Sequence, residues 1–168
     1  MTTHSPASST AAPVTADVPP GLALLPLLQT LREIAADPDL HQLVDLEHPE
    51  RQSLELRSTP DLQVWLLTWP PGFSTGWHDH GESRGAYATL RGRLTERTWA
   101  LGDPTAWYVG RGESRAYTTG HVHEVRNETT TTALSVHAYA PRLTTMTRYV
   151  ASRGRLEVVG VEQAGVQL

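Results

Sequence analysis

The chain has 168 residues, of which 39% are apolar, 19% charged and none cysteine, with a net charge of −4. That excludes a disulfide framework and thiolate metal ligation, leaves nitrogen and oxygen as the only metal donors, and offers no basic footprint for nucleic acid. No apolar run reaches the roughly 20 residues of a membrane span, and the opening "MTTHSPASSTAAPVTADVPP" lacks the basic start and apolar stretch of a signal peptide, so a soluble, cytoplasmic protein is expected.

Residues 1–20 are rich in Ser, Thr, Ala and Pro with little to bury, which predicts a disordered tail ahead of one domain over residues 21–168. From Pro26 the apolar residues Leu27, Leu28, Leu31, Ile34 and Ala35 recur at helical spacing, and Pro38 ends the pattern. A second short helical piece is expected around Asp39 to Val44. Beyond about residue 50 the chain turns to short runs such as "LQVWLLTW", "GAYATLRG", "TTALSVHAY" and "MTRYV", rich in β-branched and aromatic residues and punctuated by Gly, Pro, Asp and Asn. With no βαβ alternation and no repeat, this predicts an all-β sandwich or barrel over about residues 50–160, preceded by one or two short helices. The C-terminal "RGRLEVVGVEQAGVQL" adds an edge strand or covers the barrel.

Within the β-rich part, "GFSTGWHDHGESRGAYATLRG" places His78 and His80 one residue apart. Side chains on a strand return to the same face every second residue, so the two imidazoles point into one space while Asp79 points away. With eight histidines in the chain, such a pair alone is weak evidence for an ion. Its surroundings are more specific. Gly72, five residues, His78-x-His80 and a later Gly92 have the spacing of the first cupin motif, and here the chain resembles that β-barrel superfamily. The second motif follows as Gly112, five residues, Thr118-x-Gly120, two residues, His123, three residues, Asn127. This spacing selects His123 over His121 as third ligand and leaves His121 at the rim. The glutamate usual after the second histidine is missing: Arg84 and Gly85 stand there and Glu82 comes too early. A three-histidine site leaves a divalent ion its full charge and open positions, which suits an anionic ligand such as a thiolate.

In "LSVHAYAP", Ser135, His137 and Tyr139 alternate on one strand and can form a hydrogen-bonded row ending in a phenol; a satisfied core network is the alternative. This S-x-H-x-Y pattern, after an H-x-H pair and a third histidine, resembles the cysteine dioxygenase family, the thiol dioxygenases of the cupin superfamily, and the likeness covers roughly residues 50 to 150. The resemblance implies mononuclear Fe(II) on His78, His80 and His123, with a small thiol and dioxygen as reactants and a sulfinate as product. It implies that Tyr139 positions substrate or supplies a proton, with His137 orienting the phenol and Ser135 fixing the imidazole tautomer. Eukaryotic members crosslink this tyrosine to a cysteine; Gly85 occupies that position here, so the crosslink cannot form.

The family also grips the substrate carboxylate, through an early arginine in cysteine dioxygenases or a glutamine in relatives that oxidise 3-mercaptopropionate. Arg51 and Gln52 are adjacent, so only one of the two faces the site; Arg57 would need a shifted register. Trp65, Trp69, Trp99 and Trp107 are read as packing, and Trp77, beside His78, as facing away from the ion. The resulting expectation is an iron-dependent dioxygenase of L-cysteine. Its alternatives are another small thiol, a non-catalytic metal-binding cupin sensor, or a cupin using zinc, nickel or manganese for isomerisation or hydrolysis.

Overall fold

The structure, a computed structural model, describes residues 21–100 and 102–163; the tail expected over residues 1–20 lies outside them. A 3-10 turn at Leu22–Leu24 leads into helix α1, Leu25–Ala35, with Pro26 in its first turn, where a missing N–H costs nothing. The short piece expected near Asp39 is a 3-10 turn, Leu40–Leu43. Eleven strands follow among the described residues: β1 Ser53–Ser58, β2 Gln63–Trp69, β3 Trp77–His78, β4 Arg84–Arg91, β5 Arg93–Ala100, β6 Asp103–Gly110, β7 Ser114–Tyr117, β8 His123–Arg126, β9 Ala133–Ala140, β10 Thr145–Ser152 and β11 Arg155–Gln163. No described helix is long and apolar enough to cross a membrane.

The strands form two antiparallel sheets. One has the order β1-β2-β9-β4-β7 and the other β11-β10-β3-β8-β5-β6. The C-terminal strand β11 is an edge, as one of the two expectations had it. Between the sheets lies a core of Trp65, Leu67, Trp69, Leu94, Val109 and their neighbours. The outer face of the five-stranded sheet carries small apolar residues, Val64, Ala86, Ala88, Val136 and Ala138, and α1 lays Leu27 and Leu31 onto them. Those two leucines are 2% and 1% exposed, and burying each contributes about 1.5–3 kcal/mol. The helix pins the sheet from outside, leaving the inner face free for chemistry.

Two motif glycines make the turns that bring the strand ends together. Gly92, between β4 and β5, has φ 75°, and Gly120, ahead of β8, has φ 74°. This left-handed region is open to glycine without steric cost. A Cβ at Gly92 would also lie 3.0 Å from the Ala133 methyl, so the turn is both left-handed and close-packed.

Candidate metal centre

Strand β3 is only two residues long, held between β10 and β8, and its register places His78 directly opposite His123. Directly opposed side chains on neighbouring strands are in contact range, and these two imidazoles have centroids 4.7 Å apart. His80 closes the triangle, 4.8 Å from His78 and 5.1 Å from His123. One ring nitrogen from each of the three lies within 4.8 Å of the others, and all three residues are buried. Asp79 points the other way, as alternation requires. Its carboxylate accepts hydrogen bonds from the Gly81 amide and the Tyr149 hydroxyl, which fixes the turn carrying His80.

The imidazoles are arranged as ligands need to be. Burial holds His78 and His80 well below the usual 6.5, and it lowers His123 despite the opposing pull of Glu96, so all three are neutral near pH 7. The Nδ1 of His78 lies 2.9 Å from the Gly76 carbonyl, which can only accept, so Nδ1 carries the proton and Nε2 is free for an ion. His123 Nδ1 lies 2.6 Å from Glu96 Oε1, with the same consequence. Hydrogen bonds to the remote ring nitrogen fix tautomer and ring orientation in metal sites generally. Three neutral nitrogen donors therefore fit a divalent first-row ion, and iron is among those that imidazole suits.

Glu96 is one of the residues that sequence reasoning missed. It sits on β5, fully buried, and accepts from Arg115 Nε at 2.7 Å and His121 Nε2 at 3.3 Å as well as from His123. Burial alone would raise its carboxyl, but these donors outweigh that and hold it well below the usual range. Glu96, His121 and His123 thus form a second ligand-like cluster, although Glu96 is already engaged by Arg115. His121 stands behind His123 rather than in the cavity. Glu82 is exposed. The buried Glu96 carboxylate backs His123, one of the candidate ligands, and the separation of 27 positions between them gave no spacing signal.

The Ser-His-Tyr row is present and buried. Ser135 Oγ is 2.9 Å from His137 Nε2, and the Tyr139 hydroxyl is 3.5 Å from His137 Nδ1, at the outer limit of a hydrogen bond. Trp69, read from the sequence as packing, extends the row: its indole N–H donates to Ser135 Oγ at 2.7 Å. Burial raises Tyr139 to about 12, against the pull of the Arg51 charge, so the phenol keeps its proton. Burial likewise keeps His137 neutral.

A cavity of about 280 Å³ collects these groups: His78, His80, His123, His137, Tyr139 and Arg51, with Leu67, Trp69 and Met146 among its apolar walls. Of the adjacent pair, Arg51 is the residue at the cavity. Its guanidinium lies 4.2 Å from the Trp69 ring centre and 4.8 Å from that of Phe73, and its Nε is buried without a partner. Burial lowers it to about 10, so it remains cationic. The Gln52 amide is spent elsewhere, accepting from Asp45 N at 3.1 Å and donating to Asp45 O at 2.7 Å. Arg57 is exposed beyond a bulge in β1. Arg148, which the sequence did not single out, stands at the cavity wall, tied to Glu162 and the Thr75 carbonyl. Trp77 turns away from the histidines and packs edge-on against Trp99, whereas Trp107 lies 47% exposed on the edge strand β6. A larger cleft of about 800 Å³ beside α1 contains none of the predicted site residues.

Among solved structures, the chain is similar to a Thermus thermophilus protein, at 24% identity and a TM-score of 0.55 over 62% of this chain and 95% of that one. It is similar to a cupin superfamily protein of Desulfitobacterium hafniense, at 13% identity and 0.53 over 61% and 88%. The cupin domain of Schizosaccharomyces pombe Cnp3 gives 13% and 0.52 over 61% and 72%. These likenesses establish the fold as the cupin barrel. The family model described as cysteine dioxygenase type I matches residues 41–152, a span that holds the three buried histidines, the Ser-His-Tyr row and Arg51. The chain belongs to the cysteine dioxygenase type I family.

Proposed function

We propose that the protein is an iron-dependent thiol dioxygenase whose substrate is L-cysteine, with dioxygen as co-substrate. The observation that carries this is the convergence on one small cavity of three neutral imidazoles, a buried phenol and an arginine whose buried Nε has no hydrogen-bond partner. Ferrous iron held by His78, His80 and His123 would bring thiolate and dioxygen together and supply the electron transfer that makes oxygen reactive. The protein's own residues do the rest. Arg51 binds the substrate carboxylate, its Nε and terminal nitrogens offering parallel N–H bonds that a carboxylate accepts in pairs. The Trp69 and Phe73 rings beneath the guanidinium hold that fork in place. Tyr139 keeps its proton at neutral pH and presents it to the reacting end, while His137 and Ser135 fix the phenol's direction from behind. The apolar walls exclude water from the reacting sulfur.

The reaction adds both atoms of dioxygen to sulfur and yields the sulfinate. Oxygen uptake by the ferrous-reconstituted protein, with L-cysteine and 3-mercaptopropionate compared, tests it. The expected result is uptake with L-cysteine and a product heavier by two oxygen atoms. Preference for 3-mercaptopropionate would overturn the substrate, and absence of uptake with either thiol would overturn the activity. Gln52 is engaged by Asp45 and does not line the cavity, so its amide is not available there to favour 3-mercaptopropionate.

A further inference from the structure

Two of the three histidines have their remote nitrogens tied, His78 to Gly76 and His123 to Glu96. His80 does not: its Nδ1 is buried with no hydrogen-bond partner. Something else must fix that ring, because a ligand free to rotate on its Cβ–Cγ bond loses orientation entropy each time it binds an ion. The candidate is Tyr117, the last residue of β7. Its ring lies nearly parallel to His80, with centroids 5.2 Å apart and planes at 19°. On another side it stacks on His121, 5.0 Å and 16°, and it meets His123 edge-on at 4.8 Å.

The ring reaches this position because of a vacancy in the neighbouring strand. Tyr117, Gly85 and Tyr139 form one row across β7, β4 and β9, with Gly85 paired to both tyrosines. A Cβ built on Gly85 would fall within the Tyr117 ring, against its Cε2, Cζ and hydroxyl. Glycine here therefore serves no special backbone angle, since its φ is not positive. It provides volume. Tyr117 is not among the residues that line the cavity; it stands behind His80 and His123, with its hydroxyl beside that of Tyr139.

We propose that Tyr117, seated in the space that Gly85 leaves open, is the positioning residue for His80, replacing by ring stacking the hydrogen bond that the other two ligands have. The inference rests on the three-histidine site of the proposed function but not on its substrate. Losing an outer contact of a ligating histidine typically costs about 10–100-fold in metal affinity, and stacking of this kind should fall in the lower part of that range.

The test uses cobalt(II) alone as probe, titrated into the metal-free full chain and followed by visible absorption, with the thermal midpoint recorded for each variant. His80→Ala marks the affinity expected when this ligand is lost. Tyr117→Leu should weaken cobalt binding roughly tenfold, while Tyr117→Phe, which keeps the ring, should stay within about threefold of wild type. Gly85→Ala should weaken binding as Tyr117→Leu does, because its methyl displaces the ring. The double variant Gly85→Ala/Tyr117→Leu should recover the thermal midpoint lost in Gly85→Ala without recovering affinity, and this separates positioning from packing. Leu31→Ala, in the helix on the far side of the sheet, should lower the midpoint and leave cobalt affinity unchanged. Wild-type affinity in Tyr117→Leu would overturn the proposal, as would equal losses in Tyr117→Phe and Tyr117→Leu or a matching loss in Leu31→Ala. A protein that takes up no oxygen with any thiol, yet shows this pattern, would refute the proposed reaction and leave the role of Tyr117 standing.

Discussion

Strand β9 serves two regions with one stretch of eight residues. Ser135, His137 and Tyr139 face inward, where each meets a polar or aromatic partner, while Val136 and Ala138 face outward onto α1. The strand's period of two makes this division possible, and β4 repeats it with Gly85, Tyr87 and Thr89 inside and Ala86 and Ala88 outside. The outer region is apolar and small, so what matters there is volume. In the inner region atoms have directions: the Trp69 indole must donate, the Gly76 carbonyl must accept, and Glu96 must stay ionised among its donors. The same sheet thus separates residues replaceable by shape from residues replaceable only by chemistry.

The sharpest way to break this division is at the ion. His123→Ala removes one of the three proposed ligands and leaves Glu96 with one donor fewer, and it should reduce both iron content and oxygen uptake, activity by on the order of a thousandfold. Retention of iron would move the third ligand, and His121 would be its nearest substitute. Next in size is Tyr139→Phe, which keeps the ring and removes the phenolic proton. Here the expected loss is about a hundredfold in kcat, with iron content and thermal midpoint unchanged. A wild-type rate would mean that the Ser-His-Tyr row is a satisfied core network after all.

Acidification probes the inner region as a whole. Burial lowers His78, His80, His123 and His137 in the folded chain. An unfolded imidazole takes up a proton as pH falls through about 6.5, whereas the folded ones resist, so the unfolded state binds more protons and stability falls with pH. Each such group contributes up to about 1.4 kcal/mol per pH unit below its unfolded value. The metal-free protein should therefore lose thermal midpoint steadily from pH 7 to pH 5. The depressed Glu96 does not blur this window: its contribution is present above its unfolded value near 4.3 and is lost only as pH falls through its still lower folded value. A midpoint constant between pH 7 and 5 would mean that these histidines are not buried in the neutral form.

The parts of this arrangement legible in the sequence were those that follow from period or spacing. Helix α1 announced itself through Leu27, Leu31 and the flanking prolines, and the H-x-H pair and S-x-H-x-Y row are strand periodicity written in chemical residues. His123 followed from motif spacing, and the structure brings it opposite His78. Arg51 and Gln52 could not be separated, since neighbours alternate and nothing local says which face is inner; the Gln52 bonds to Asp45 supply that information. Glu96, Tyr117 and Arg148 were illegible for a different reason. Each reaches the site from another strand, at a separation fixed by sheet order rather than by local pattern.

The smallest effect at the ion should come from the outer region, and it is the most informative about the division itself. Leu31 is 1% exposed, held between α1 and the small residues of the sheet's outer face. Leu31→Ala removes buried methyl groups and leaves a void that the surrounding helix and sheet only partly close, at a cost of about 2–5 kcal/mol. If the sheet insulates its two faces, the thermal midpoint falls while iron content, KM and kcat below that midpoint stay at wild-type values. If kcat falls with stability, β9 transmits helix packing into the Ser-His-Tyr row. The most direct route would be the backbone, because Val136 lies between Ser135 and His137 and cannot shift outward without turning both. Measuring kcat in Leu31→Ala beside Tyr139→Phe therefore decides whether the inner row is held by its own hydrogen bonds or by the helix behind it.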